Sequence, residues 1–276
     1  MNDRLLIGGD LPVRRLGFGA MRLCGHNVWG EPADPAAARA LLREVLASGV
    51  ELIDTSDAYG PRVNEEQIRE ALAPYPAGLH IATKGGFTRP SAGSWVPNGR
   101  PEHLRAACEG SLQRLGLECI ELYQLHVPDP KVPFEESVGA LAELRVEGKI
   151  RHVGLSNVDL DQLRAAREIV PIASVQNEYN VGNRASDDVL DVCELDGIAF
   201  LPYFPIDAGD LAKAGGTLGR VAKAHCASQA QVALAWLLRR SPVMLPIPGT
   251  SSRAHLAENL AAAQIELTDE EFASFG

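Results

Sequence analysis

The chain has 276 residues, 46% of them hydrophobic and 22% charged, enough to bury a large core. Its formal net charge of −10 at pH 7 argues against a general nucleic-acid or anionic-membrane binder, which needs a basic face. Cys24, Cys108, Cys119, Cys193 and Cys226 are scattered, odd in number and without paired spacing, so they read as core residues of a reducing compartment and not as a disulfide frame. The start, Met1-Asn2-Asp3-Arg4, lacks the basic and apolar regions of a signal peptide, and no apolar run approaches the roughly 20 residues of a membrane span. A cytoplasmic protein is expected.

Residues 4–9 and 13–16 are spaced to form an N-terminal β-hairpin. Short, nearly continuous apolar runs follow near residues 16–19, 50–54, 79–84, 120–126, 150–155, 172–177, 198–203 and 243–247, as expected for strands covered on both faces. Helical patterns lie between them. Asp34-Pro35 supplies an N-cap and a first-turn proline, Ala38, Leu41, Leu42 and Val45 form an apolar stripe, and Gly49 marks the stop. Asn64-Glu65-Glu66-Gln67 reads as a capping box. Leu104, Cys108, Leu112 and Leu115 make one face of a third helix, and Gly148 ends a fourth.

Eight strands alternating with helices predict an α/β fold, a single-domain (β/α)8 TIM barrel over residues 1–276 with the hairpin ahead of it. The competitor is an open doubly wound sheet, but no G-x-G-x-x-G follows the first strand. In a barrel all strand C-termini meet on one face, where barrel enzymes place their chemistry. Asp54, Lys84, His126, Asn157 and Gln176 would all arrive there, with Tyr59 just beyond a strand end. Singly, each has a plain structural explanation: a turn cap, a solvated amine, a satisfied core imidazole. Five successive strands ending this way are hard to explain by packing.

The set supports hydride-transfer chemistry. A tyrosine hydroxyl is a poor acid near neutrality, and a nearby ammonium lowers its pKa. An aspartate keeps that ammonium charged, and a histidine can hold a carbonyl oxygen, so the group can polarise C=O and protonate a developing alkoxide. No side chain donates hydride, so a reduced cofactor is required.

Leu16-Gly17-Phe18-Gly19, the run Asp54 to Gly60, Thr83-Lys84, Leu122-Tyr123-Gln124-Leu125-His126, Gly154-Leu155-Ser156-Asn157, Val175-Gln176-Asn177-Glu178-Tyr179-Asn180 and Ile247-Pro248-Gly249-Thr250 occur in the order and spacing of one family. Along essentially its whole length the chain resembles the aldo-keto reductases, in particular compact bacterial members. The resemblance implies NADPH-dependent reduction of an aldehyde or ketone through Asp54, Tyr59, Lys84 and His126, with Tyr59 as the acid. It also implies that Ser156, Asn157 and Gln176 hold the nicotinamide carboxamide and that Tyr203 stacks on the ring, with Phe204 as a substitute. Residues 207–211 fall in the loop crossing the pyrophosphate, just after Pro205 and Ile206. Gly249, Thr250, Ser251, Glu258 and Asn259 fall in the segment wrapping the adenosine end.

His255 stands where many members have an arginine on the 2′-phosphate, and Gly249 where a lysine is frequent; a neutral imidazole is the weaker phosphate partner. Arg253, Thr250 and Ser251 are the expected compensation, and NADP(H) is expected over NAD(H). Three loops should rim the substrate pocket: residues 22–34 with Trp29, residues 85–100 with Phe87 and Trp95, and residues 206–217. The end at Phe275-Gly276 leaves no long closing loop, so an open pocket for aromatic or heterocyclic aldehydes, such as pyridoxal, is expected, in a monomer. Two rivals stand beside this reading. One is a metallo-hydrolase on Asp54, Asp57 and His126, which leaves Lys84 and Tyr59 idle and has no H-x-H or H-E-x-x-H spacing. The other is a non-catalytic protein that senses the nicotinamide cofactor. No metal is expected.

Overall fold

The structure is a computed structural model that describes residues 4–207 and 216–276. The part of the expected pyrophosphate loop beyond Asp207, and most of the third rim loop, lie outside the described residues.

The hairpin forms as expected. β1 (Arg4–Ile7) pairs antiparallel with β2 (Leu11–Arg14), and Gly8 and Gly9 take positive φ in the turn, where a side chain would be strained. Ile7, Leu11 and Val13 are buried among the inward-facing residues Leu52, Ala82, Leu122 and Leu201 of the barrel. The hairpin therefore plugs the N-terminal mouth and leaves the other end for chemistry.

The barrel strands are β3 (Phe18–Gly19), β4 (Leu52–Asp54) and β5 (His80–Gly85), then, after a short rim hairpin of β6 (Phe87–Thr88) and β7 (Val96–Pro97), β8 (Ile120–Leu125), β9 (Ile150–Ser156), β10 (Ile172–Gln176) and β11 (Ala199–Phe200). They form one parallel sheet in the order β3-β4-β5-β8-β9-β10-β11. Residues 243–247 occupy the eighth position. Leu245 N donates to Phe200 O (2.8 Å) on one side, and Gly17 N donates to Pro246 O (2.9 Å) on the other, which closes the barrel. Pro242, Pro246 and Pro248 have no amide hydrogen, so this segment cannot carry a regular ladder, although its apolar run reads as a strand.

The helices are α1 (Pro35–Ala47), α2 (Val63–Leu72), α3 (Pro101–Leu115), α4 (Phe134–Val146), α5 (Leu160–Arg167), α6 (Asp187–Asp196), α7 (Gly216–Ala224), α8 (Gln229–Arg240), α9 (Arg253–Ala261) and α10 (Asp269–Ala273). α1 follows its sequence signals. Asp34 accepts from Ala37 N (2.9 Å), and Ala38, Leu41, Leu42 and Val45 are buried. Each such Leu or Val removed from water stabilises the fold by about 1.5–3 kcal/mol.

The capping box expected at residues 64–67 is not one. α2 begins at Val63 after Arg62, which sits at φ +73, and Asn64 lies inside the helix. Its side chain instead accepts from Thr55 Oγ1 (2.6 Å) and donates to Ala20 O (3.0 Å), fastening the segment after β4. Glu65, also buried, accepts from Thr83 Oγ1 and from Arg114 Nε of α3, each at 2.6 Å. Tertiary fastening displaced local capping here. Among the described residues no helix is long and apolar enough to cross a membrane.

Candidate active site

Strand geometry assembles the site. Side chains two apart share a face, so Asp54 follows Leu52 inward, Lys84 follows Ala82, and Gln124 and His126 follow Leu122. One step along each strand, the barrel interior changes from an apolar plug to a polar floor.

The centre of that floor is an ion pair. Lys84 Nζ donates to Asp54 Oδ2 at 2.6 Å and to Thr55 O at 2.8 Å, with Lys84 0% and Asp54 2% exposed. Asp54 Oδ1 accepts from Gln176 Nε2 (2.8 Å) and Gln124 Nε2 (3.2 Å), so the carboxylate is bonded on both oxygens. The third Lys84 contact is Tyr59 Oη at 3.4 Å, with the phenol itself buried. Burial disfavours the ammonium, but the Asp54 charge and hydrogen bond outweigh it and hold the Lys84 pKa above its ordinary value. For Tyr59 the balance goes the other way: burial pushes the phenol up, and the opposing Lys84 charge does not cancel it. A neighbouring ammonium alone would lower the phenol's pKa; burial reverses the sign. The phenol is therefore held protonated, which is the state of an acid before it reacts.

His126 packs edge-on against Tyr59, with ring centroids 5.8 Å apart. Burial, reinforced by the Lys84 and Arg89 charges, drives its pKa well below the ordinary imidazole value, so the ring is neutral. Its Nδ1 is 3.1 Å from Ser56 Oγ. Phe87 (4.7 Å) and Trp95 (6.2 Å) stand edge-on to the same ring and complete an aromatic wall. Trp95 is held by Arg89, whose guanidinium carbon lies 3.6 Å from the indole centroid. Arg89 also donates to Ser94 O (2.8 Å), Ala58 O (2.9 Å), Asn27 O (3.1 Å) and Val28 O (3.2 Å), tying both rim loops to the Tyr59 segment. Trp29, expected on the substrate surface, does not line the cleft; it lies against Arg89 at 5.6 Å.

The floor opens into a cleft of about 860 Å³ that runs past Ser156, Asn157, Gln176 and Tyr203 to the segment before α9. Asn157, in a left-handed conformation at φ +58, donates to His126 O and Ser156 Oγ (both 3.0 Å) and accepts from Tyr203 Oη (2.7 Å). Its amide hydrogens are thus spent within the protein. Pro205, Ile206, Gly249, Thr250, Ser251, His255, Glu258 and Asn259 also line the cleft. Arg253 does not line it; its side chain points to Glu44 (3.0 Å) on α1. Arg22, which the sequence suggested only as the edge of a rim loop, does line the cleft, beside Gly249. A Cβ on Gly19 would fall 2.7 Å from Ile247 O, and one on Gly249 would fall 2.6 Å from Gly19 O, so neither position has room for a side chain. Among the described residues no group of three or more His, Cys, Asp or Glu could hold a metal ion.

Gln124, Ser56, Arg89 and Arg22 are the site neighbours that motif reading passes over. Gln124 alone had an available signal: a polar residue at an inward position of β8, in phase with Leu122 and His126.

A closed barrel whose strand ends carry a buried Lys–Asp pair beside a phenol and a neutral imidazole has counterparts among known proteins. The Aldo/keto reductase family profile matches residues 15–275, and the chain belongs to this family. It is 47% identical over 276 residues to pyridoxine 4-dehydrogenase of Escherichia coli, covering 98% of this chain and 96% of that one. The glycerol dehydrogenase of Gluconobacter oxydans superposes with a TM-score of 0.90 at 28% identity, over 100% of this chain and 94% of that one. An aldo-keto reductase of Klebsiella pneumoniae in complex with NADPH superposes with a TM-score of 0.84 at 26% identity, over 100% and 94%.

Proposed function

We propose that the protein reduces an aldehyde or ketone to the alcohol with NADPH, Tyr59 serving as the general acid. The observation that carries this reading is the Lys84 ammonium bonded at once to Asp54 and to the Tyr59 hydroxyl, at the head of a cleft of about 860 Å³.

The residues suit that cofactor. A carboxamide needs an acceptor for its NH2 and a donor for its oxygen. Gln176 spends only its amide nitrogen on Asp54 and Gln124 and keeps Oε1 free to accept, while Ser156 accepts from Asn157 and keeps its own hydroxyl hydrogen to give. Arg22 and His255 are the basic side chains lining the cleft near Gly249 and α9, where the 2′-phosphate would lie. When bound, the reduced nicotinamide supplies hydride to the carbonyl carbon.

The side chains do the rest. Phe87 and Trp95 position the substrate against His126. A neutral His126 orients the carbonyl oxygen through Nε2, and Tyr59 passes its proton to that oxygen as negative charge develops on it. Lys84 stabilises the phenolate left behind, and Asp54, fixed by Gln124 and Gln176, keeps Lys84 charged. Water returns the proton to Tyr59 once the alcohol leaves.

The aromatic wall and the 47% identity to a pyridoxine 4-dehydrogenase favour a flat heterocyclic aldehyde, pyridoxal first. The test is an NADPH assay on a carbonyl panel comparing the wild type with Tyr59→Phe. Reduction should fall by roughly 10²–10⁴-fold while cofactor affinity stays within a factor of about two. A variant that keeps most of its rate would remove Tyr59 as the acid.

A further inference from the structure

The cleft is not the only cavity at the Tyr59 segment. A second one, of about 330 Å³, lies behind it and is lined by Asp57, Ala58, Phe87, His103 and Arg114 among others. Between the two cavities stands Ser56, fully buried. Its Oγ is 3.2 Å from Asp57 Oδ1 and 3.1 Å from His126 Nδ1, and it accepts from Ala58 N at 3.1 Å. One hydroxyl thus bridges a carboxyl group in the rear cavity to the imidazole in the front one.

We infer that Asp57 and Ser56 are positioning residues that set which nitrogen of His126 carries its proton. This rests on the reductase reading for its consequence, because His126 must offer an N–H to the carbonyl oxygen. A hydroxyl has one hydrogen to give. With Asp57 ionised, the charge-assisted bond takes that hydrogen. Ser56 then accepts from Nδ1–H, and Nε2 faces the cleft bare. With Asp57 protonated, its own O–H donates to Ser56, Ser56 donates to Nδ1, and Nε2 carries the hydrogen. No net proton enters or leaves His126; a neutral ring changes tautomer. Lys84 O, 3.3 Å from Ser56 Oγ, is a competing acceptor, but it already receives Asp57 N–H.

The carboxyl group is tuned for this. Burial and the Glu65 carboxylate of α2 push Asp57 up to about 7, against a smaller opposing pull from Arg114 of α3. The other polar groups around it are the Tyr123 hydroxyl on β8 and the rear-cavity residues Arg62, Arg89 and His103. His126 is faced by the Lys84 and Arg89 charges, which keep it neutral throughout this range. Reduction is therefore favoured on the acid side of the Asp57 titration.

The experiment is ¹⁵N-histidine NMR of the full chain across neutrality, without carbonyl substrate, on wild type, Asp57→Asn and Ser56→Ala. In the wild type the His126 nitrogen shifts should move from the Nε2–H to the Nδ1–H pattern as pH rises. In Asp57→Asn, whose amide can donate to Ser56 at any pH, Nε2–H should persist on both sides of neutrality, and the corresponding step in kcat for reduction should vanish. Ser56→Ala should lose the tautomer response and lower kcat on the order of tenfold, short of the ~10²–10³-fold cost of deleting an oxyanion donor outright. Wild-type His126 shifts that stay constant while the Asp57 carboxyl titrates would overturn the relay. A switching tautomer in a chain inactive on every carbonyl would instead sink the reductase reading.

Discussion

The ammonium of Lys84 sits 2.6 Å from the carboxylate of Asp54 with both side chains sealed from solvent. A buried pair of this kind is worth little over an apolar substitute, but half of one is expensive. Lys84→Met should leave the Asp54 charge uncompensated and lower stability by about 3–5 kcal/mol. It should also remove reduction, since nothing then stabilises the Tyr59 phenolate. Urea unfolding together with the NADPH assay reads both effects; a stable variant with an ordinary rate would show the pair to be ornamental.

The buried imidazole fixes the sign of one pH effect. The His126 pKa is well below that of a free imidazole in the folded chain, chiefly through burial, so the unfolded state binds a proton that the native state refuses. Stability should be level above about pH 6.5 on this account and fall below it, by up to ~1.4 kcal/mol per pH unit. Lys84 acts at the opposite end: its raised pKa gives stability that is lost only as pH rises past the lysine range. Unfolding midpoints of the wild type against His126→Gln should diverge toward acid. Parallel curves would mean that the ring takes up its proton in the native fold.

Arg89 should control substrate affinity without touching substrate. Its guanidinium is bonded to carbonyls of residues 27, 28, 58 and 94 and stacks on Trp95. Arg89→Ala should free Trp95 and raise KM for aromatic aldehydes by roughly tenfold, consistent with the ~0.5–2 kcal/mol of one cation–π contact. The change in kcat should be smaller. Steady-state kinetics on an aromatic and a small aliphatic aldehyde distinguish this from general loosening, which would affect both alike.

Arg22 and Arg253 make opposite predictions for the cleft near Gly249 and α9. Arg22 lines it, whereas Arg253 pairs with Glu44 on the exposed surface, a contact worth little. Arg22→Ala should raise KM for NADPH by about tenfold, the ~1.4 kcal/mol of one modest charged contact, and change KM for NADH far less. Arg253→Ala should alter neither by more than about twofold. The reverse pattern would return the phosphate contact to the start of α9.

How far the sequence discloses this arrangement depends on the kind of signal. Period-two apolar runs and motif spacing locate Asp54, Lys84, His126 and Gln176 at the strand ends, because strand parity is local information. Gln124 shares that parity and lies within the Leu122–His126 motif, yet nothing local to β8 shows that its amide reaches Asp54. Ser56 and Arg22 matter through Lys84, His126 and Gly249, from 28 to more than 200 residues away, and Arg89 joins the nearby Ser94 and Trp95 to the carbonyls of Asn27, Val28 and Ala58; no local pattern encodes such pairings. The same blindness makes Asn64 look like a helix cap when its amide is committed to Thr55 and Ala20. The Tyr59 acidity is likewise illegible in the sequence, because burial and a neighbouring charge oppose each other and only their geometry decides which prevails.

The proline-bearing eighth position has one more implication. With Pro246 inside it and Pro242 and Pro248 at its ends, it fastens to the start of the sheet through a seam that includes Gly17 and Pro246. Gly19 and Gly249 flank that seam and also line the cleft. A molecule gripping both would act as a clasp across this stitch of the cylinder, so loading the protein should slow amide exchange at Gly17 and Gly19 before it does so elsewhere.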